Sequence, residues 1–505
     1  MIEKFNYSTP GRNEAEAKLY TRKDYQGNSS DDLTDEIVEA LGGVENIKGI
    51  DACITRLRVT VKDSSKVAPD SRWKELKSQG VIRSGEGIQI IYGTQAEIYK
   101  NKIIKNMDYN NNFRGGLVKI RNYLLAFVLG STLAFAKDIN FDVVGEVFDY
   151  GPQTTKIILK FDEQINPKTL DTQTFKVLTQ DLKDRNITTI DFIDHNNVIL
   201  NLEHGQNIKD ANLLYWDDQK FSNVVIPTNY TLIQTKDMTL ENGKTIKKDT
   251  YKYYMKSLKI KDVDKFTAGE MYGLKYRDFK PQKDGNKHPL IIWLHGAGEG
   301  GDSNITQILG NRGGVAFVEE DAQKIFDTPY VLAPQTPTFW MKSFFVGKRE
   351  LVGEKDYTPD LVNLIKTYIR ENPEIDKNRI YIGGCSMGGY QTFKTLVYAP
   401  DLFAAAFITC PAYMPSTEEL NTVKDTPIWL VHASDDTTVP VSNSRESFKY
   451  LKSIGADVVY TEYKDVVIDG NKYDPHGSYF YTLHNSPIND NGINIFQWIA
   501  SKKRY

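Results

Sequence analysis

A serine between two glycines is the first feature of this sequence that could do chemistry. Ser386 lies at the centre of the segment GCSMG, residues 384–388, after a short apolar run and before an amphipathic one. Glycines permit a turn too tight for larger residues, and a turn from strand to helix exposes the serine hydroxyl. The segment therefore predicts a nucleophilic serine, with an ordinary glycine-rich turn as the alternative.

A carboxylate and a histidine follow the serine in the order that such a nucleophile requires. Residues 428–432 (IWLVH) predict a strand, and Asp435 and Asp436 come just after its end. Of the seven histidines, only His476 and His484 follow that loop. A serine needs a base to take its proton, and the base needs a partner that fixes its orientation. The order predicts a triad, and the residues alone leave two candidates for the acid and two for the base.

A second glycine-rich segment could supply donors for an oxyanion. The residues HGAGE, 295–299, directly follow a predicted strand at 290–294. Acyl transfer passes through a tetrahedral intermediate, and each N–H donor to its oxygen typically contributes about 3 kcal/mol. We expect the backbone N–H groups of Ala297 or its neighbour and of Met387 to form this oxyanion hole, and His295 to brace the loop.

A cysteine followed by two arginines marks a second possible reaction centre. Arg56 and Arg58 alternate on the predicted strand that leaves Cys53, so both point to one face. Cationic neighbours lower the pKa of a thiol, and guanidinium groups bind phosphoryl oxygens by paired hydrogen bonds. Without further information, a structural cysteine beside surface charges is the more common arrangement. Cys385 and Cys410 need no function, because free cysteines commonly behave as small buried hydrophobic residues.

Three patterns of hydrophobic residues organise the chain around these motifs. Residues 31–106 predict a small α+β domain, and residues 137–255 show short alternating runs typical of an immunoglobulin-like β-sandwich. Residues 256–505 alternate buried strands with amphipathic helices, which predicts an α/β domain with a mostly parallel sheet. The predicted fold class is therefore multidomain. The clearest predicted elements are strands at 54–61, 88–92, 290–294 and 380–382 and a helix at 358–370.

Residues 107–136 separate the first domain from the others. Basic residues precede the apolar run 123–136, which ends in Ala-Phe-Ala ahead of Lys137. These are the three parts of a secretory signal, although a signal normally opens a protein. We expect an internal signal-like or anchoring segment, with a buried core helix as the alternative. Its basic flank predicts a cytoplasmic, membrane-associated first domain and a secreted or extracytoplasmic hydrolase.

The composition excludes several classes of protein. Hydrophobic residues make up 40% and charged residues 26% of the 505 residues, which is the balance of a soluble globular protein. A net charge of −3 creates no global field for nucleic acid, so we expect no nucleic-acid partner. Three cysteines are too few for a disulfide framework. We expect neither a cofactor nor a metal ion.

The first domain resembles a known family. Residues 51–61 (DACITRLRVTV) resemble the phosphocysteine motif of the glucose-type enzyme IIB domain of the bacterial sugar phosphotransferase system. Residues 1–30 resemble the linker that follows the membrane-spanning IIC domain. The resemblance implies that Cys53 carries a phosphoryl group stabilised by Arg56 and Arg58, with separate IIA and IIC proteins as partners. Because no IIC span is found, we expect that this chain alone does not translocate sugar.

The remainder resembles secreted bacterial α/β-hydrolase esterases with an N-terminal immunoglobulin-like domain. The resemblance rests on HGAGEGGDSN, residues 295–304, and GCSMGG, residues 384–389. The spacing D-x-x-V-P resembles the acid loop of dienelactone-hydrolase-like and prolyl-oligopeptidase-like esterases, which selects Asp436. Residues 474–479 (DPHGSY) resemble their histidine loop and select His476, with tyrosine at the position where tryptophan is common. The resemblance implies a serine carboxylesterase that acts on small-molecule or polysaccharide-linked esters.

Several alternatives stay open. The two halves are either one bifunctional chain or a fusion in which only one half is functional, such as a secreted esterase made from Met107 or a IIB component alone. The hydrolase could instead be a prolyl-oligopeptidase-like serine peptidase, although no propeller domain precedes it. The immunoglobulin-like domain could also act as a binding module that carries the hydrolase to a polymer.

Overall fold

The computed structural model describes residues 30–52, 56–85, 87–92, 96, 99–100, 103, 137–248, 250–346 and 348–504. The chain divides into two compact units, residues 1–133 and 134–505. Cys53, the predicted linker before Ser30 and the predicted signal-like segment 107–136 lie outside the described residues. Among the helices that are described, none combines the length and the apolar character needed to cross a membrane.

The first unit contains a four-stranded antiparallel sheet in the order β1-β2-β4-β3. Alternate residues of β2 (Leu57, Val59 and Val61) are buried in its core, so Arg56 and Arg58 lie on the other face. This is the predicted α+β arrangement. The elements are α1 (Ser30–Ala40), β1 (Ile47–Ala52), β2 (Arg56–Val61), α2 (Asp70–Glu75), β3 (Gly80–Ser84) and β4 (Gly87–Ile91).

The second unit begins with a β-sandwich. A five-stranded sheet, in the order β16-β5-β6-β10-β9, packs with a three-stranded sheet, β13-β7-β8, around one apolar core. Two hairpins, β11-β12 and β14-β15, complete this domain. Its strands are β5 (Lys137–Phe148), β6 (Gly151–Lys160), β7 (Phe175–Leu178), β8 (Asp184–Arg185), β9 (Ile187–Asp194), β10 (Asn197–Leu202), β11 (Leu214–Asp217), β12 (Ser222–Val225), β13 (Thr231–Gln234), β14 (Met238–Thr239), β15 (Thr245–Ile246) and β16 (Tyr251–Ile260).

An eight-stranded sheet follows, in the order β17-β18-β20-β19-β23-β24-β25-β26. The six strands β20, β19, β23, β24, β25 and β26 are parallel, whereas β17 and β18 are antiparallel additions at one edge. The eight strands of the sheet are β17 (Thr267–Met271), β18 (Leu274–Phe279), β19 (His288–Leu294), β20 (Tyr330–Gln335), β23 (Ile375–Cys385), β24 (Ala405–Thr409), β25 (Ile428–Ala433) and β26 (Val458–Tyr463). Two separate hairpins consist of β21 (Ser343–Val346) with β22 (Arg349–Val352) and of β27 (Val466–Ile468) with β28 (Asn471–Tyr473).

Helices cover both faces of this sheet, which explains why β19, β24 and β25 are buried at every position. All seven residues of β19 are buried, as expected for a strand covered on two sides. The helices are α3 (Thr306–Leu309), α4 (Glu320–Ile325), α5 (Thr358–Glu371), α6 (Met387–Tyr398), α7 (Thr417–Thr422), α8 (Ser442–Ser453), α9 (Tyr479–Leu483) and α10 (Ile495–Ala500).

The carboxyl ends of three central strands carry the residues that the sequence analysis selected. β19 leads into the loop 295–299, β23 leads into Ser386, and β25 leads into the loop that contains Asp436. In open α/β sheets, ligands bind at this edge. The parallel sheet therefore gathers segments that are far apart in the chain at one place.

Candidate active site

Ser386 occupies a strained turn between β23 and α6. Its backbone dihedral angles are φ 55° and ψ −117°, and residues other than glycine rarely adopt a positive φ. Its N–H donates to the carbonyl of Thr409 at 3.0 Å. A Cβ atom added at Gly384 or Gly388 would lie 2.6 or 2.0 Å from the carbonyl oxygen of Leu294. Only glycine fits at these two positions, so the turn around Ser386 is held against the end of β19.

Asp436 is the carboxylate that this edge of the sheet buries. Its side chain is inaccessible to solvent, and Oδ2 lies 2.8 Å from Nδ1 of His476. Oδ1 accepts hydrogen bonds from the backbone N–H groups of Thr438 and Val439 at 2.8 and 2.9 Å. Burial raises the pKa of Asp436, but hydrogen bonds from His432 and His476 outweigh burial and hold the pKa well below its usual range. Asp436 is therefore ionised.

His432 is a member of this group that the sequence analysis did not identify. Its Nε2 lies 3.2 Å from Oδ2 of Asp436 and 3.2 Å from the carbonyl oxygen of Val439. Both are acceptors, so Nε2 carries a proton and donates. Its Nδ1 then accepts from the hydroxyl of Ser444 at 2.8 Å. The fully buried His432 thus donates to the same carboxylate oxygen that His476 contacts. The sequence feature that could have identified His432 is its position at the end of a predicted buried strand, just before the acid loop.

His476 lies in a short turn that holds its ring beside Asp436. The backbone N–H of His476 donates to Oδ1 of Asp474 at 2.9 Å, and its side chain is 20% exposed. Burial lowers the pKa of His476, whereas Cys410 and Asp436 raise it, with a net pKa above the ordinary value for histidine. The ring is therefore a stronger base than free imidazole.

Cys410 links the serine turn to the histidine loop. It directly follows Thr409, whose carbonyl accepts the N–H of Ser386, and its Sγ donates to the carbonyl oxygen of His476 at 3.4 Å. The backbone of Cys410 has a φ of 37°. The Ser386 hydroxyl forms no hydrogen bond to the residues that the structure describes. Catalytic hydrogen bonds are often open in a free enzyme and close when substrate binds.

Two helical segments begin near the Ser386 turn, and a Cβ added at Gly296 would lie 3.8 Å from the carbonyl oxygen of Cys385. Ala297 begins the 3-10 turn Ala297–Glu299, and Met387 begins α6. The first N–H groups of a helical segment have no acceptor within it. His295 is buried beneath the loop, where its Nδ1 lies 2.6 Å from the carbonyl of Gly296 and its Nε2 accepts from the N–H of Thr336 at 3.3 Å. Burial lowers the pKa of His295 to about 4, so its neutral ring braces the loop.

The two competing candidates lie outside this group. Asp435 is exposed, although it is adjacent to Asp436. His484 lies 2.9 Å from Oδ2 of Asp149 and 2.8 Å from a guanidinium nitrogen of Arg312. The contact between His484 and Asp149 joins the β-sandwich to the α/β domain.

One set of metal donors occurs within the described part of the chain, and it overlaps this group. Donor atoms of Cys410, Asp436 and His476 lie within 4.8 Å of one another. A thiolate, a carboxylate and an imidazole are the ligand types that zinc prefers. An ion bound there would compete with the hydrogen bond between Asp436 and His476.

The first unit contains a separate candidate site on the polar face of its sheet. Arg56 donates to Oε1 of Gln89 at 3.2 Å, and Arg58 lines a cavity of about 310 Å³. The other lining residues are Gly49, Ile50, Val59, Thr60, Gly87, Ile88 and Gln89. Arg58 is exposed, so its guanidinium is accessible to an incoming anion. The position of Cys53 relative to this cavity lies outside the described residues.

Three family models match separate parts of the chain. They are phosphotransferase system EIIB at residues 35–67, the esterase immunoglobulin-like N-terminal domain at 140–247, and phospholipase/carboxylesterase at 281–468. The chain thus combines an enzyme IIB domain, an immunoglobulin-like domain and an α/β-hydrolase domain. The predicted fold class is confirmed.

Individual proteins resemble each part. The glucose-specific EIICBA component of the phosphotransferase system of Streptococcus pneumoniae is 43% identical over 112 residues, which cover 21% of this chain and 15% of that protein. The enzyme IIB component GlvB of Escherichia coli is 41% identical over 103 residues, 18% of this chain and 64% of that protein. The chain therefore spans less than two thirds of either relative. The crystal structure of a thermostable esterase is 29% identical, with a TM-score of 0.61, and the match covers 72% of this chain and 99% of that chain.

The contact between Asp436 and His476 predicts how His476 titrates. Asp436→Asn removes the negative charge next to Nδ1, so the pKa of His476 should fall. Histidine resonances followed by NMR against pH measure this change. Asp435→Asn, which removes the same charge from the exposed neighbour, is the control and should leave the titration of His476 unchanged. An unaltered titration in Asp436→Asn would mean that the two side chains do not interact in solution.

Proposed function

We propose that the hydrolase domain is a serine carboxylesterase, with Ser386 as nucleophile, His476 as general base and Asp436 as the carboxylate that orients the base. The observation that best supports this proposal is the strained turn of Ser386, which lies between the oxyanion loop and the loop of the His476–Asp436 pair. A positive φ at a serine is costly and is expected mainly where function requires it. The similarity to an esterase of known structure supports the same class of reaction.

The proposed reaction has two halves. Nε2 of His476 takes the proton of the Ser386 hydroxyl as Oγ bonds to the ester carbonyl carbon, and the carbonyl oxygen becomes an oxyanion. The N–H groups of Ala297 and Met387 stabilise that oxygen. When the carbon–oxygen bond to the alcohol breaks, His476 returns the proton to the departing alcohol. Water then attacks the acyl-enzyme with His476 as base, which releases the acid and restores Ser386.

Small-molecule or polysaccharide-linked esters are the proposed substrates. Trp216, Phe221 and Phe344 lie in successive edge-to-face contact, with centroid distances of 4.9 and 5.8 Å. Trp216 also adjoins the oxyanion loop, since a Cβ added at Gly298 would lie 2.7 Å from its ring. An aromatic surface beside the oxyanion loop favours apolar or ring-shaped groups on the ester. We place this domain outside the cytoplasm.

For the first domain we propose a phosphocysteine relay. Cys53 would accept a phosphoryl group from a histidine of a IIA protein and pass it to a sugar held by a separate IIC protein. The similarity to a glucose-specific EIICBA component at 43% identity and to a IIB component at 41% identity supports this proposal. The exposed Arg58 supports the relay as well, because a guanidinium binds a phosphoryl group through two parallel hydrogen bonds. We place this domain in the cytoplasm, next to the membrane.

The esterase proposal predicts which side chains are indispensable. Ser386→Ala and His476→Ala should each lower kcat/KM for a short p-nitrophenyl ester by roughly 10³-fold or more, because each removes one member of a cooperating unit. His484→Ala is the matched control, since it removes an imidazole paired with a carboxylate elsewhere. The kcat/KM of His484→Ala should stay within about 3-fold of the value for the unmodified chain. Substantial activity in Ser386→Ala would overturn the assignment, and loss in His484→Ala alone would transfer the base to that residue.

The relay proposal predicts labelling of a single cysteine. Radioactive phosphoenolpyruvate, the general phosphotransferase proteins and a glucose-type IIA should label the full chain, and Cys53→Ser should remove the label. Arg58→Lys should slow labelling, because an ammonium cannot reproduce the planar pair of donors. Arg83→Lys is the control, since Arg83 is occupied by Asp70 at 2.9 Å. A folded chain that takes no label from an active IIA would refute the relay.

A further inference from the structure

A buried carboxylate in the oxyanion loop has no part in the proposed triad. Glu299 is 8% exposed, and no lysine or arginine of the described residues lies within salt-bridge distance of it. Burial raises the pKa of Glu299 to about 7, against hydrogen bonds from Gly296 and Asn223 that lower it. Burying a carboxylate without a cation is costly unless hydrogen bonds compensate. The contacts that Glu299 makes therefore need an explanation.

Glu299 holds both ends of the short loop that contains Ala297. Oε2 of its carboxylate lies next to Gly296, at the start of the loop, since a Cβ added there would lie 3.2 Å from it. Its carbonyl accepts hydrogen bonds from Oγ1 of Thr306 and Nε2 of Gln335, each at 2.8 Å, at the end of the loop. Ala297 lies between these two fixed points. The N–H group of Ala297 therefore belongs to a segment that Glu299 contacts on both sides.

The other partner of the Glu299 carboxylate comes from the immunoglobulin-like domain. Nδ2 of Asn223, on β12, donates to Oε1 of Glu299 at 3.2 Å. A Cβ added at Gly298 would lie 2.7 Å from the ring of Trp216, on β11, and 3.3 Å from Nδ2 of Asn223. The hairpin β11-β12 thus packs directly on the oxyanion loop. Arg349 of the hydrolase domain anchors the same hairpin by donating to the carbonyl of Asp218 at 2.7 Å.

We propose that Asn223 and Glu299 are positioning residues, and that the immunoglobulin-like domain sets the orientation of the Ala297 N–H through their hydrogen bond. The hairpin β11-β12 then belongs to the catalytic unit, although none of its residues reacts. This inference rests on the proposed esterase reaction. A misplaced oxyanion donor weakens only the transition state, so the effect falls on kcat rather than on KM.

Exchanging the donor and the acceptor tests the hydrogen bond directly. Asn223→Asp removes the donor and places a second carboxylate beside Glu299. We expect kcat for p-nitrophenyl acetate to fall about 10-fold or more while KM changes by less than about 3-fold. In N223D/E299Q the new amide donates to the new carboxylate, so kcat should recover to within about 3-fold of the unmodified chain. A purely additive loss in the double variant would overturn the inference.

Controls separate this effect from misfolding and from failure of the esterase proposal. Asn229→Asp adds the same charge at an exposed site of the same domain and should leave kcat unchanged. Circular dichroism establishes that each full-length variant is folded. If N223D does not fold, N223A, which removes the donor without adding charge, should still lower kcat, and an unchanged kcat would refute the inference. If Ser386→Ala is inactive but kcat does not recover in N223D/E299Q, the esterase proposal stands. Only the positioning role of Asn223 and Glu299 is then rejected.

Discussion

The close contact between the serine turn and the end of β19 is the constraint on which the candidate active site depends. Gly384 and Gly388 lie so near the carbonyl of Leu294 that a methyl group has no room at either position. This contact places the start of α6 beside the start of the oxyanion loop, so two unpaired N–H groups come from segments about 90 residues apart. The parallel sheet supplies the rigidity that such a contact requires.

Burial gives the remaining groups their chemical character. In a medium of low dielectric, the charge of Asp436 acts on His476 with little screening, and His432 and two backbone N–H groups compensate the cost of burying it. Glu299 faces the same cost, and its compensation comes partly from Asn223 in another domain. The immunoglobulin-like domain is thereby joined to the hydrolase through polar contacts as well as through packing.

Local patterns were sufficient for the fold class and for locating the turn and the loops of the candidate site, whereas the choice of Asp436 and His476 came from the family resemblance. The strand–serine–helix turn, the acid loop after β25 and the glycine-rich loop after β19 each depend on adjacent residues, so the sequence predicts them. The contacts of Cys410 with His476 and of Asn223 with Glu299 join residues 66 and 76 positions apart. Such contacts depend on how domains and loops pack together. No local pattern in a single sequence predicts that packing. The predicted domain boundaries and the role of Cys53 stay predictions.

The central claim is that Ser386 forms a covalent acyl-enzyme. Mass spectrometry of the full chain after reaction with a fluorophosphonate, which phosphonylates activated serines, tests this claim most directly. We expect one adduct per chain, located on the peptide that contains Ser386, and none after prior denaturation because the hydroxyl is activated only in the folded site. An adduct on a different serine, or ester hydrolysis that continues at full rate in chains that carry the Ser386 adduct, would contradict it.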